Sequence, residues 1–578
     1  MKQVLLLTAF TLLIACTSTH LPDRFRSAPH PPQLEVSQLK ASPSKAAIAS
    51  AHPLATQAGI EVLAQGGNAF DAAVAVAAVL SVVEPYSAGL GGGGFWLVQR
   101  PDEAAVVIDA RETTPHALTN NHFLTKNHFD RDKAINGPLA AGIPGQAAAF
   151  AYIAEQYGTL PLSTTLSRAI QYAKQGFPVD KVYLQLGTLR QDALARYPSS
   201  SHLLPNGKPP TIGTLIKQAQ LANTLQSLAQ HGHAGFYEGP VADQLVSSVR
   251  SAGGVWQATD LSSYKVKIRT PIVGSYHGLT VTSAPPPSAG GILLIDMLNM
   301  LEHYDLDTLS NADRTHLIAE VMRRAYQQRA THLGDPDFIE IPVERLTSKS
   351  FAKDQMVDFS WRHASASPDT QPTHEGTHTT HFSVLDNRGN RVSATLSINL
   401  PFGSAFVAAG TGVLLNNELD DFALDPKGQN AYGLTGSTAN ALAPGKRPLS
   451  SMSPTFIESS DWLGILGTPG GSRITTMVLL GILEAAANKP PEAWVKRPRF
   501  HHQYLPDRIE FEAGTLDPAL EAALRDRGHT LHVLSRRYGN MQAILWKKRV
   551  NQVFAASDPR RIGQALVADP TQWHPSPD

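Results

Sequence analysis

The segment Gly376-Thr377-His378-Thr379-Thr380-His381-Phe382-Ser383 carries a polar tract into an alternating, strand-like one, with a threonine at the junction. If the peptide bond between His378 and Thr379 breaks, Thr379 becomes an N-terminal residue. Its α-amine then lies beside its own hydroxyl and can serve as the general base. An α-amine titrates near about pH 8, so a useful fraction is neutral at physiological pH, whereas a lysine would need a large perturbation. Cleavage itself asks only that the Thr379 hydroxyl attack the carbonyl of His378, leaving an ester for water to open. Read without this chemistry, the same residue is a β-branched side chain at the start of a strand. His374, His378 and His381 are spaced as on a helix, but the segment is not helical. No acid or cysteine partner accompanies them, and no metal site is expected.

The elements that must position Thr379 follow from periodicity. Residues 364–378 are polar and carry no core-forming pattern. Beyond them the apolar period becomes two: 380–385 and 391–398 read as strands, joined by the turn Asp386-Asn387-Arg388-Gly389-Asn390 into a hairpin. Residues 464–466 make a further short strand and 474–486 a helix. Earlier in the chain, 53–65 has helical spacing and stops at Gly66-Gly67. Asn68 can cap a second helix over 70–83, apolar nearly all round and therefore buried. Gly89-Leu90-Gly91-Gly92-Gly93-Gly94 contains a G-x-G-x-x-G, but a helix precedes it and strand 95–98 follows. A dinucleotide site needs the opposite order, so a tight turn with close backbone packing is expected instead.

A strand over 104–110 ends at Arg111-Glu112, which by itself reads as a surface ion pair. Residues 139–251 are mainly helical, and 266–281 suggest two short strands. The run Pro285-Pro286-Pro287-Ser288-Ala289-Gly290-Gly291 opens a helix reaching residue 301; another spans 312–333 and ends at Gly334-Asp335-Pro336. With antiparallel signals and no internal repeat, these elements imply packed layers of helix and sheet, an α+β fold.

A chain of 578 residues exceeds what one hydrophobic core usually serves. Apolar residues at 42% and charged residues at 17% describe a globular protein. Lys+Arg and Asp+Glu balance at 49 each, which gives no reason to expect a nucleic acid partner. The single cysteine, Cys16, excludes an intrachain disulfide. It follows Lys2 and an apolar run over 4–15, too short for a bilayer but the length of a signal-peptide core. Leu13-Ile14-Ala15-Cys16 resembles the lipobox of bacterial lipoproteins, which implies cleavage before Cys16 and a lipid on its sulfur. A plain signal peptide is the other reading. Residues 1–15 are thus expected to be a signal peptide and 16–45 a proline-bearing, lipidated tether, with the protein periplasmic and membrane-anchored through Cys16.

Across nearly all of 46–568 the chain resembles the γ-glutamyltransferase family. The resemblance rests on Thr379-Thr380-His381-Phe382-Ser383, Leu414-Leu415-Asn416-Asn417-Glu418-Leu419-Asp420-Asp421-Phe422, and Lys446-Arg447-Pro448-Leu449-Ser450-Ser451-Met452-Ser453-Pro454-Thr455. Thr468-Pro469-Gly470-Gly471-Ser472-Arg473, Pro498-Arg499-Phe500-His501-His502-Gln503 and Ser557-Asp558-Pro559-Arg560 extend it. In the first half Asp109-Ala110-Arg111-Glu112, the 285–291 run and Gly334-Asp335-Pro336-Asp337-Phe338 match as well.

The resemblance implies an N-terminal-nucleophile hydrolase, a four-layer αββα sandwich formed by two chains cut from one proenzyme. The large chain would run to residue 378, its folded part from 46, and the small catalytic chain over 379–578, the two staying together as a heterodimer. Thr379 would be both the autoprocessing residue and the nucleophile, with His378 on the other side of the cleaved bond. Gly470 and Gly471 would form the oxyanion hole, since glycines let backbone N–H groups approach a developing charge. Arg111, with Ser450 and Ser451, would bind the donor's α-carboxylate; Asp421, helped by Glu418 and Asn399, would take its α-ammonium. The family has a second threonine at the position of Ser397, whose hydroxyl would bond the nucleophile; serine keeps the hydroxyl and loses the stiffening methyl.

Residues 425–437 resemble the family's lid, with Tyr432 as its aromatic gate. The implied reaction moves a γ-glutamyl group from glutathione or a related small-molecule donor to water or to an amino acid or peptide acceptor, with no cofactor. A β-lactam acylase of the same fold and an unprocessed extracytoplasmic binding lipoprotein are the alternatives.

Overall fold

The computed structural model describes residues 42–368, 379–425, 429–434 and 436–569. The leader, most of the tether, Cys16 and His378 lie outside the described residues.

Two mixed-origin sheets stack between helical layers. The seven-stranded sheet has the spatial order Gln564–Ala568, Ala46–Ser50, Thr380–Leu385, Arg391–Ser397, Gly93–Gln99, Val106–Asp109, Lys267–Arg269. The six-stranded sheet runs Gln552–Ser557, Gln542–Lys547, Trp462–Gly467, Thr455–Glu458, Leu279–Ser283, Ile272–Tyr276. Both sheets contain strands from before and after Thr379, with Ala46–Ser50 inserted between two later strands in the seven-stranded sheet, so neither half of the chain completes a sheet without the other.

The period of two sorts side chains between layers. Ala47 and Ala49 face the second sheet with Phe95 and Leu97, meeting Ile465 and Ala543. Ala46 and Ile48 face the opposite way, with Trp96, Phe382 and Leu396, onto the helices Pro53–Ala64 and Ala69–Val83. The second of these helices is buried along its whole length and is capped by Asn68, whose side chain accepts from Phe70 and Asp71 N–H, as its apolar circumference requires. On the far side, Gly290–Leu301 and Ile474–Ala486 cover the six-stranded sheet, giving the αββα sandwich.

The expected hairpin forms over 380–397, with Thr380 opposite Leu396. The region 266–281 differs from expectation. Pro271 has no N–H to give a ladder, and the chain changes sheets there. Lys267–Arg269 ends one sheet, while Ile272–Tyr276 and Leu279–Ser283 form a hairpin at the edge of the other. The glycine run is a close-packing turn: a Cβ on Gly91 would lie 2.1 Å from the Leu414 carbonyl oxygen, and one on Gly92 2.1 Å from that of Ser397. His381 is occupied inside the sheet sandwich, where its Nδ1 lies 2.8 Å from the Thr395 hydroxyl.

Candidate active site

Thr379 immediately precedes the strand Thr380–Leu385, and the register places it level with Ser397 at the end of the neighbouring strand. Both line one pocket with Arg111, Asn399 and Asp421. Behind the nucleophile strand, the Thr380 hydroxyl donates to Glu84 at 2.8 Å. Burial pushes that carboxyl up to about 7 despite the hydrogen bond.

Arg111 leaves the end of strand Val106–Asp109 and is fully buried. Its guanidinium donates to Glu418 Oε2 at 2.6 Å and to Asp421 Oδ2 at 2.5 Å. Burial alone would weaken its hold on a proton, but Glu418 and Asp421 outweigh it and hold the group firmly charged. Burial raises Glu418 above the usual carboxylate range, with Arg111 opposing and Asp421 adding to the rise. The two acids stand on one short helix, Glu418–Asp421, fixed from below by two asparagines. Asn416 accepts from Gly142 and Glu418 N–H and donates to the Gly91 and Gly142 carbonyls. Asn417 donates to the Ile135 carbonyl and accepts from Leu400 N–H. The Asn-Asn-Glu-Leu-Asp-Asp run is therefore a buried platform.

Ser450 is held by the proline-rich run, and the Ser451 carbonyl accepts from the Ser453 and Thr475 hydroxyls. Ser450 N–H donates to the Pro287 carbonyl at 2.8 Å, and Ala289 N–H donates back to Ser450 at 2.9 Å. Gly290 is required for this approach, because a Cβ there would lie 2.4 Å from Ser453 Oγ. Arg447 braces the same wall, donating to Asp109 Oδ1 at 2.8 Å and to the Arg111 carbonyl at 3.1 Å.

Gly470 and Gly471 turn at φ of 149° and 58° into the helix that becomes Ile474–Ala486. Among the described residues neither N–H donates a hydrogen bond, so both remain available at a helix start, where an anion is favoured. Asn399 N–H donates to Ser397 Oγ at 2.7 Å. The Tyr432 ring lies against Gly471, and its hydroxyl donates to the Asn399 carbonyl at 3.0 Å. With the ring in place the pocket keeps about 20 Å³ of free volume, room for one water molecule.

Two polar atoms on the expected site residues are buried without a hydrogen-bond partner among the described residues: Ser451 Oγ and Glu418 Oε1. One can donate to an anion, and the other can accept from a cation. Every expected site residue that is described belongs to this pocket or its immediate wall. The structure adds Arg329, from the last turn of helix Asn311–His332, which the sequence did not single out. Helical periodicity marks that helix but cannot say which of its arginines points inward.

A sandwich with a threonine at the head of an inner strand, facing a pocket of opposed charges, is the architecture of an N-terminal-nucleophile hydrolase. The gamma-glutamyltranspeptidase family model matches residues 55–568, and the chain belongs to that family. The glutathione hydrolase proenzyme of Escherichia coli (strain K12) is 39% identical over 528 residues, covering 89% of this chain and 90% of that protein. The crystal structure of cephalosporin acylase from Bacillus halodurans superposes with a TM-score of 0.80 at 26% identity, over 95% of this chain and 100% of that one. A chain of the Helicobacter pylori gamma-glutamyltranspeptidase crystal structure matches with a TM-score of 0.53 at 36% identity, over 55% of this chain and 92% of its own.

Proposed function

We propose that the protein is a self-cleaving γ-glutamyltransferase that opens the γ-glutamyl amide of glutathione and related donors through a Thr379 ester. The observation that carries this reading is a pair of buried polar atoms without partners among the described residues, Ser451 Oγ and Glu418 Oε1, in the same pocket as the Arg111–Asp421 ion pair. A free amino-acid head group supplies what each lacks. Its carboxylate accepts from Arg111 and Ser451; its ammonium donates to Asp421 and Glu418. Ligands without either charge leave buried groups unpaired, which is costly.

Processing begins when Thr379 Oγ attacks the carbonyl carbon of His378. The C–N bond breaks as the C–O ester forms, the α-nitrogen takes up the proton, and water opens the ester. In turnover the free α-amine accepts the Thr379 hydroxyl proton as Oγ attacks the donor's γ-carbonyl. The Gly470 and Gly471 N–H groups receive the oxyanion. Collapse expels the donor's amine, which leaves with the proton, and Thr379 holds the γ-glutamyl group as an ester. Water or an acceptor amine then attacks that ester and restores the threonine. The two chains stay joined because each sheet is built from strands of both.

Entry of a donor requires Tyr432 to move off Gly471, so the segment around it acts as a lid. Asp421 and this lid favour γ-glutamyl donors over the acyl side chains of β-lactams. Export and a lipid on Cys16 belong to the same proposal and rest on the leader sequence alone.

The intact masses of the purified chains under denaturing conditions test the proposal. Two species are expected, the lighter matching 379–578, together with release of glutamate from glutathione. A single stable full-length species would remove the nucleophile's amine and leave a binding protein.

A further inference from the structure

Arg329 is 5% exposed and sits on the wall shared by the Thr379 pocket and a second pocket behind Asp421. Its Nε is buried without a hydrogen-bond partner, and its side chain makes no ion pair among the described residues. Its charged neighbours are Asp421 and Arg111, the two residues at the centre of the head-group site. Burial holds its guanidinium below its ordinary range.

The helix explains how such a charge is carried. Tyr326 and Arg329 stand three residues apart and so share a face. The Tyr326 hydroxyl donates to the Ser472 carbonyl, in the turn that follows the glycine pair. That bond fixes this face of the helix against the active site. Arg329 also lies in the helix's last turn, where the aligned carbonyl dipoles favour a cation. The dipole lowers the cost of the buried charge but supplies no directed partner for Nε.

Arg111, by contrast, is shared between two carboxylates before any ligand arrives. A donor's α-carboxylate entering beside it meets a guanidinium whose donors are largely engaged. We propose that Arg329 is a second, specificity-determining guanidinium for the α-carboxylate of the γ-glutamyl donor, acting beside Arg111. This rests on the donor-site reading above. It makes the site cationic enough to hold the carboxylate while Asp421 turns to the ammonium, and selects against acyl donors that carry no α-carboxylate.

The test compares Arg329→Gln and Arg329→Lys with the unaltered two-chain enzyme on two chromogenic anilides. One carries the γ-glutamyl group; the other carries 4-aminobutanoyl, the same chain without the α-carboxylate. For Arg329→Gln the expected result is a rise in KM of about tenfold or more on the γ-glutamyl anilide, with kcat changed far less. The lysine variant, which keeps the charge and much of the length, should lie between. On 4-aminobutanoyl anilide kcat/KM should move less than about twofold, because the contact is absent there. Equal losses on both anilides, or no change on either, would overturn the inference and assign Arg329 to the scaffold. If the unaltered enzyme fails on γ-glutamyl anilide as well, it is the donor-site reading that falls.

Discussion

The Arg111 guanidinium and the Asp421 carboxylate meet at 2.5 Å across the pocket, with Glu418 also accepting from the guanidinium and the Asn430 side chain donating to the carboxylate's second oxygen. Each is the natural partner of one end of an amino-acid zwitterion, and in its absence they neutralise one another. Donor binding therefore exchanges one internal ion pair for two external ones, and much of its desolvation cost is already met in the folded protein.

Asp421→Asn should break that exchange. It leaves Arg111 with Glu418 and removes the charge that faces the ammonium. Truncating one member of a buried charge pair costs about 2–5 kcal/mol. Steady-state kinetics on a γ-glutamyl anilide should show kcat/KM down by about two orders of magnitude, mostly through KM; an unchanged KM would refute the assignment.

Gly471→Ala places a Cβ 2.4 Å from the Tyr432 ring, at a φ of 58°. Alanine keeps the backbone N–H but is strained at that φ, so the turn is expected to relax and swing the donor off the oxyanion position, and losing an oxyanion donor costs about a hundred- to a thousandfold in kcat. A loss of that size is expected even when Tyr432→Ala removes the clash in a double variant. Full recovery in the double variant would show that only the lid had been disturbed.

Tyr432→Phe deletes the hydrogen bond to the Asn399 carbonyl and keeps the ring over Gly471. One such bond contributes about 0.5–1.5 kcal/mol to the closed position. Because that position excludes the donor, the expected outcome is a KM lowered by up to about tenfold with kcat nearly preserved, read from donor titrations at fixed acceptor.

Ser397→Ala leaves the Asn399 N–H without its acceptor at 2.7 Å. It also removes the hydroxyl level with Thr379. Self-cleavage should slow at least tenfold, at a cost of about 1–3 kcal/mol for the unpaired group. Ser397→Thr should cleave as fast as the parent. Time courses of freshly purified proenzyme on denaturing gels distinguish the two.

Glu84 gives the stability a pH dependence of known sign. Burial raises its carboxyl from 4.5 to about 7, so between those values the folded chain holds a proton that the unfolded chain releases. Its contribution is complete below the lower value and disappears as pH rises through the upper one, amounting to about 3 kcal/mol. Denaturant titrations at pH 5 and pH 8 should show a loss that Glu84→Gln largely abolishes. Parallel pH profiles for the two proteins would contradict this.

Local pattern alone carried the hairpin that begins at Thr380, the buried helix after Asn68, and the reversal that denied Gly89–Gly94 a nucleotide role. Each depends on side-chain period or on a cap, and both are properties of neighbours in sequence. The Thr379 junction was legible for the same reason, and long motifs in order marked the family. Tertiary structure alone decided that Arg111, which beside Glu112 reads as a surface pair, is fully buried and bonded to an acid 310 residues away. It also decided that Pro271 sends adjacent strands into different sheets, and that Ser451 Oγ, Glu418 Oε1 and Arg329 Nε find no partner among the described residues around one pocket. Burial and the absence of a partner are set by everything that packs around an atom. Strands from both halves of the chain interleave here, so no local stretch of sequence contains that information.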